Sequence, residues 1–149
     1  MFWYRGSPRP FEVRFSMFSS VFSSDAPEPG FVGPATPALD VSGMTLVRLN
    51  PRGRLTQLIA VPPQVEKPAG AASSPDWAVL FAAAGLDPSK WPPSQPIWAP
   101  PVNSDSRAAW TGSLAERPNV AMRIEAAASR GKPVYFELIG PWTLSLIHI

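Results

Sequence analysis

The sequence predicts an α+β fold: two antiparallel β-hairpins in one sheet, one α-helix packed on that sheet, and proline-rich extended straps. Residues 44–61 and 107–142 each have the pattern of two strands joined by an Arg-Gly turn. Residues 75–84 carry apolar side chains at helical spacing. Twenty prolines in 149 residues, about two and a half times the ordinary usage, require much extended connecting chain.

Composition excludes several classes of protein. The chain is 45% hydrophobic and 16% charged, which favours a folded domain over a disordered one. The net charge is only +2 and the Lys and Arg residues are scattered, so we expect no nucleic-acid partner. The absence of cysteine excludes disulfides and thiol catalysis. No apolar run approaches the length of a membrane span, about 20 residues.

Four blocks follow one another along the chain. We assign residues 1–23 to a juxtamembrane-like aromatic segment, 24–43 to a Pro/Gly connector, 44–143 to the α+β domain and 144–149 to a tail. Within the first block, Phe2, Trp3 and Tyr4 precede Arg5, a pattern typical of the interfacial belt beside a membrane span lying upstream. The alternative is the exposed, poorly packed end of a fragment. If these residues have lost a membrane interface, they should hang free of the domain.

The first hairpin is predicted over residues 44–61. Its turn, Pro51-Arg52-Gly53, places glycine where a positive φ is needed. We expect the cross-strand pairs Leu49/Leu55 and Leu46/Leu58. Pro62 and Pro63 end the second strand because they remove backbone donors.

The helix is predicted from Pro75 to Ala84. Ser74 is a suitable N-cap, and Gly85 fits the left-handed position after the last turn. The apolar stripe that should face the sheet consists of Trp77, Leu80, Phe81 and Ala84. A much shorter turn should begin at Asp87-Pro88.

The proline-rich segment WPPSQPIWAPP covers residues 91–101. We interpret it as an extended strap whose Trp91 and Trp98 fill the core, with proline preventing strand formation. The alternative is a proline-rich ligand for the aromatic groove of a partner. Trp110 and Trp142, which bracket the second hairpin, should cover the same core.

The second hairpin turns at Ser129-Arg130-Gly131. A three-residue loop with Ala128 opposite Lys132 places Arg123 opposite Glu137 and gives Gly131 a positive φ. Shifting the strands by one residue mixes the two faces. A shift by two residues restores the faces but sets Glu125 opposite Glu137, and this pairing is disfavoured by like-charge repulsion. The sequence therefore predicts the first register.

No catalytic, cofactor-binding or metal-binding residues are predicted. The single histidine is His148, and phosphate-loop, dinucleotide and paired-cysteine motifs are absent. Glu125 and Glu137 share a sheet face, where we expect a solvated ladder with Arg123 rather than a glycosidase pair. The candidate interaction surface consists of Arg48, Arg52, Arg54, Arg123, Glu125 and Glu137. In this surface, the cluster of Arg48, Arg52 and Arg54 either meets an anionic partner such as lipid headgroups or forms a solvated turn.

An ordered set of segments resembles the non-kinase region of large, membrane-bound bacterial serine/threonine protein kinases. The segments are GMTLVRLNPRGRLTQLIAVPPQ, DWAVLFAAAGLD, W-x-P-P, RAAWTG and IEAAASRGKPVYFELIGPW. This resemblance implies an extracytoplasmic, membrane-associated segment between spans outside this chain, without kinase motifs of its own. It implies a non-catalytic regulatory role in which an extracytoplasmic ligand or protein is bound. The alternative is a stand-alone periplasmic or secreted interaction domain.

The last six residues, LSLIHI, differ in character from the rest. They resemble translated sequencing-adaptor read-through, which predicts a truncated reading frame and an artefactual tail. The alternative is a short genuine terminal strand.

Overall fold

The computed structural model describes residues 1–11, 32–65 and 73–143. These residues form one seven-stranded antiparallel sheet with a short helix against one face, which confirms the α+β prediction. The elements are β1 (Phe2–Gly6), β2 (Thr45–Leu49), β3 (Leu55–Ala60), α1 (Ala78–Ala84), β4 (Pro93–Ser94), β5 (Ser106–Leu114), β6 (Arg117–Ser129) and β7 (Lys132–Ile139), with one 3₁₀ turn at Pro88–Lys90. The strand order is β1-β2-β3-β7-β6-β5-β4.

Both predicted hairpins, β2–β3 and β6–β7, form the middle of the sheet, where β3 and β7 join them. Three further strands were not predicted: β1, β4 and β5. The expectation that the N-terminal aromatic residues hang free is wrong for Phe2–Gly6, because the backbone of this segment pairs with β2. The expectation for the tail, residues 144–149, concerns residues outside the described part of the chain.

The second hairpin adopts the register that like-charge repulsion was expected to exclude. Arg130 and Gly131 have φ values of 53° and 78°, so they form a two-residue turn between Ser129 and Lys132. After a bulge between Ala127 and Ala128, Glu125 pairs with Glu137. The predicted pairing of Arg123 with Glu137 is therefore wrong, while the positive φ of Gly131 is confirmed. Neighbouring donors compensate both carboxylates, as shown below.

A bulge also changes the first hairpin. Leu49 pairs with Leu55 as predicted and Gly53 has a φ of 74°. Leu46 pairs with Ile59 rather than with Leu58, because the register shifts by one residue after Arg48. The hydroxyl of Thr56 donates to the backbone oxygen of Arg48 at 3.1 Å and holds the shifted strand in place.

Helix α1 begins three residues later than predicted. Ser74 is not the cap: the N-cap is Trp77, and the carboxylate of Asp76 accepts from the N–H of Ala78 at 3.0 Å. The end of the helix follows the prediction. Gly85 is left-handed at φ 64°, and the N–H of Leu86 donates to the oxygen of Phe81 at 2.9 Å.

The main core lies between α1 and one face of the sheet. Its buried members are Leu55, Leu80, Phe81, Ala84, Trp91, Met122, Ile124, Ala126 and Phe136. Trp77 is half-buried beside them, and the ring of Trp110 meets the ring of Phe81 edge-on at 5.0 Å. Trp142 does not cover this core: it is 56% exposed, and the guanidinium of Arg117 lies 5.4 Å from its ring.

The proline-rich strap passes around one edge of the sheet. Trp91 is buried in the core on the α1 side, as predicted. Pro93 and Ser94 then pair with β5, so proline does not prevent strand formation here; it is tolerated because the strand lies at an edge. Beyond Ser94, the backbone of Trp98 lies over the opposite face of the sheet, and its side chain is half-buried.

We expect Phe81→Ala to lower the free energy of unfolding by about 3–5 kcal/mol, because it leaves a cavity in the core. Phe81 is only 3% exposed. Val79→Ala on the outer surface of the same helix, where the side chain is 58% exposed, should change stability by less than about 0.5 kcal/mol. Urea denaturation followed by tryptophan fluorescence measures both. Equal effects from the two variants would contradict the packing.

Gly131→Val should destabilise the protein by about 1 kcal/mol or more, because valine tolerates a positive φ poorly. Gly53→Val is the matched control. Both glycines have positive φ, but a Cβ at Gly131 would collide with the backbone of Ser73, whereas nothing lies within 4 Å of one at Gly53. Thermal unfolding should therefore show a larger loss for Gly131→Val, and a larger loss for Gly53→Val would refute this turn geometry.

Candidate functional site

The structure divides the predicted interaction surface into two groups. One group lies on the sheet face opposite α1 and consists of Arg48, Arg123, Glu125 and Glu137. The alternation within their strands and the pairing between strands place the core-facing residues on the other face. We call the face opposite α1 the strap face. Arg52 and Arg54 lie instead at the β2–β3 turn. Across the strap face, cross-strand pairing forms a polar row of Arg48, Gln57, Glu137 and Glu125.

Glu125 is buried, with 1% of its surface exposed. Its Oε1 accepts from the Nε of Arg123 at 2.6 Å and from the backbone N–H groups of Ile97 and Trp98 at 3.0 and 3.3 Å. The prediction of a solvated ladder is therefore wrong at this position. The strap covers Glu125, and the carboxylate is the hydrogen-bond acceptor for two strap amides.

Two arginines complete the attachment of the strap. Arg123 uses its Nε for Glu125 and donates from a terminal nitrogen to the backbone oxygen of Gln95. Arg107, on β5, donates from a terminal nitrogen to the backbone oxygen of Trp98. Side chains of the sheet thus bond two backbone N–H groups of the strap, those of Ile97 and Trp98, and two of its carbonyls, those of Gln95 and Trp98.

Glu137, directly opposite Glu125, has its own donor. The hydroxyl of Tyr135 donates to its Oε2 at 2.6 Å. Burial raises the pKa of Tyr135 far above its ordinary value, and the bond to Glu137 adds to this, so the phenol stays protonated and remains a donor. Because each carboxylate has a separate donor, the two can face each other across the β6–β7 pair.

The β1 side of the strap face carries a buried cation that the sequence interpretation did not identify. Arg5 is 7% exposed; its NH1 donates to the oxygen of Gly33 at 3.1 Å, and its guanidinium lies 5.4 Å from the ring of Phe11. Burial lowers its pKa. Within the described residues, the Nε and NH2 of Arg5, the Nε of Arg48 and the Oε1 of Gln57 are buried without hydrogen-bond partners.

Arg52 and Arg54 meet a carboxylate from another turn. Arg52 forms an ion pair with Glu116, and the NH1 of Arg54 lies 3.8 Å from the same Glu116 oxygen. Glu116 lies between β5 and β6, so this cluster connects two turns at one end of the sheet. All three side chains are exposed. The two arginines are thus partly neutralised within the chain, which weakens the argument for an anionic partner at this turn.

Sequence signals for the missed residues differ in strength. Tyr135 and Glu137 are two positions apart in a strand, so their shared face followed from alternation. Arg5 shares that two-residue period with Trp3, and the aromatic run itself favours a strand. Nothing in the sequence connects Glu116 to the β2–β3 turn, because that contact forms only when this turn and the β5–β6 turn come together in the folded sheet.

The strap covers one of the two carboxylates that face each other on the strap face. A glycosidase pair needs two carboxyl groups beside an accessible substrate, whereas Glu125 lies under the strap. The described ranges contain no group of three or more His, Asp or Glu side chains placed to hold a metal ion. No helix in these ranges has the length and apolarity required to cross a membrane.

Comparisons with known proteins give no match: no protein-family model fits the chain, and neither the curated proteins nor the solved structures contain a significant relative.

We expect Glu125→Ala to lower the free energy of unfolding by about 3–5 kcal/mol, because it removes a buried carboxylate and leaves the partly buried Arg123 without its ion-pair partner. It should also accelerate hydrogen exchange at the amides of Ile97 and Trp98, which lose their acceptor. Glu116→Ala, in the exposed turn cluster, is the control and should leave the denaturation midpoint almost unchanged. Unchanged exchange at residues 97 and 98 in Glu125→Ala would show that the carboxylate does not hold the strap.

Proposed function

We propose that this chain is a non-catalytic binding segment, the extracytoplasmic regulatory segment of a membrane-bound bacterial serine/threonine protein kinase, which engages its partner through strand β1. The observation that carries the proposal is the exposure of three consecutive aromatic residues on an ordered strand. Phe2, Trp3 and Tyr4 are 60%, 43% and 65% exposed although their backbone is paired with β2. Aromatic side chains presented on a rigid element are typical of binding surfaces.

The use of the charged residues supports this assignment. Glu125, Arg123 and Arg107 hold the strap, and the arginines of the β2–β3 turn contact Glu116. These groups are therefore engaged within the domain. The large apolar groups on β1 lack comparable cover, so they are the stronger candidates for contact with a partner.

The proposed kinase context rests on the ordered motifs described above. Their positions are β2–β3, α1, the strap at residues 98–101, β5 and β6–β7. The motifs thus specify a domain with its core rather than a catalytic site, as a regulatory segment requires. Attached to a kinase through flanking spans, such a domain acts on the opposite side of the membrane from the catalytic domain.

The runner-up is a stand-alone periplasmic or secreted interaction domain. The same exposed strand supports it, since binding through β1 does not require an attached kinase. Sequencing the genomic DNA on both sides distinguishes the two. A continuous reading frame encoding a kinase domain upstream and membrane spans supports the kinase segment, whereas a complete gene for this domain alone supports the alternative.

The purified chain should neither bind Mg²⁺-ATP nor transfer phosphate. Kinases hold the nucleotide through a glycine-rich loop, a strand lysine and a metal-binding aspartate, and the sequence has none of these motifs. Titration calorimetry with Mg²⁺-ATP, with an active protein kinase measured alongside, checks this expectation. Saturable binding at micromolar concentration would overturn the non-catalytic assignment.

A further inference from the structure

The two edges of the sheet differ in protection. At one edge, β4 is only two residues long and begins with Pro93, which has no N–H to offer another strand. At the other edge, β1 has five residues and no proline, and no strand of the described ranges pairs with its outer side. An unprotected edge of this length is a template for a further strand.

The hydrogen-bond pattern identifies the backbone groups on the outer side of β1. Val61 donates to Met44 at 2.9 Å, so Met44 directs its carbonyl toward β3. Alternation then directs Leu46 and Arg48 to β3 and the residues between them to β1. The β1 residues bonded to β2 are therefore Phe2, Tyr4 and Gly6. Trp3 and Arg5 direct both N–H and C=O outward.

We propose that the outer side of β1 pairs antiparallel with β1 of a second copy of this chain, with Tyr4 on the two-fold axis. In this register Trp3 of each copy faces Arg5 of the other. These are the residues with outward backbone groups, and each of the two pairs exchanges two hydrogen bonds. The result is one continuous sheet across the dimer.

Side-chain chemistry favours this partner. Trp3 and Arg5 both lie on the strap face, and opposed side chains in such a pair have Cβ atoms about 5 Å apart. The guanidinium of Arg5 already lies 5.4 Å from the ring of Phe11. In this register the indole of the second copy adds a second aromatic contact beside it. Phe2 faces Gly6 of the second copy, and its ring covers the bare backbone there.

Other registers are poorer. After a shift by one residue, the outward N–H and C=O groups of Trp3 and Arg5 face residues of the second copy whose own backbone groups are already bonded to β2. A shift by two in one direction places Arg5 opposite Arg5, which like charge disfavours. The same shift in the other direction places Trp3 opposite Trp3 and loses both cation–π contacts. Only the register centred on Tyr4 uses all five strand residues.

The experiment uses the absence of cysteine from the chain. Tyr4→Cys places a single thiol at the axis, in a pair that is not hydrogen-bonded and has Cα atoms about 4.5 Å apart, close enough for a disulfide. Val79→Cys, on the exposed side of α1, is the collision control. Under mild oxidation, Tyr4→Cys should form covalent dimers at least about tenfold faster than Val79→Cys, because pairing raises the effective thiol concentration.

Light scattering on the native chain provides a measurement that does not depend on the cysteine variants. A concentration series should show dimers. Trp3→Ala should raise the dissociation constant about tenfold, whereas Trp142→Ala, at the other exposed tryptophan, should leave it unchanged. A native chain that stays monomeric throughout overturns the proposal, as does cross-linking of Tyr4→Cys no faster than that of Val79→Cys. A dimer equally weakened by both tryptophan variants also overturns it.

This inference deepens the proposed binding role of β1 by naming its partner, and the two fail separately. A monomeric chain would remove the dimer and leave the kinase-segment proposal open to another partner. Nucleotide binding, or flanking DNA without a kinase, would remove that proposal without altering the oligomeric state.

Discussion

The buried carboxylate of Glu125 is the interaction on which the rest of this structure depends. One oxygen accepts from Arg123 and from two backbone amides of the strap. An isolated buried carboxylate is strongly unfavourable, so these donors make the position possible. In return, the carboxylate fixes the strap over a sheet face that would otherwise lie open. The strap buries Trp91 on the α1 side before it crosses the edge of the sheet. Glu125 thus holds a segment that covers the strap face at one end and contributes Trp91 to the core on the other face at its other end.

The same anion explains why the sequence predicted the strands of the second hairpin but not their register. The rule against opposed like charges holds for charges that share no other partner. Here Glu125 is compensated by strap amides 27 and 28 residues away, and Glu137 by the hydroxyl of Tyr135. Local pattern supplied the hairpins, the turn glycines, the end of α1 and the burial of Phe81, because each depends on neighbours in sequence. Hydrogen bonds donated to Glu125 by a segment distant in sequence leave no pattern in the residues around it, so the register could not be predicted.

The candidate site shows the same division. Sequence reasoning selected charged residues as the surface, since charge is usually exposed. In the folded domain, charged residues of this set bind other groups of the same chain: Arg123 donates to the strap, and Arg52 forms an ion pair with Glu116 from another turn. What remains outward is aromatic, on a strand whose pairing with β2 was not predicted because the two segments lie about 40 residues apart. The surface was mispredicted because contacts between distant segments decide which charges are free.

The polar row across the strap face is hydrogen-bonded unevenly along its length. At one end, one oxygen of Glu125 accepts three hydrogen bonds. Toward the other end, Arg48 and Gln57 are directly paired across β2 and β3, yet each has a buried polar atom without a partner in the described residues. Such atoms cost about 1–3 kcal/mol each. Of the five such side-chain atoms in the described residues, four belong to β1, β2 and β3, on the side of the sheet with the open edge, and the fifth is the Oγ of Ser94 at the other edge. A strand added at β1 would stabilise the sheet on the side that holds four of these atoms, which is why binding at β1 should also protect β1 and β2 from local opening.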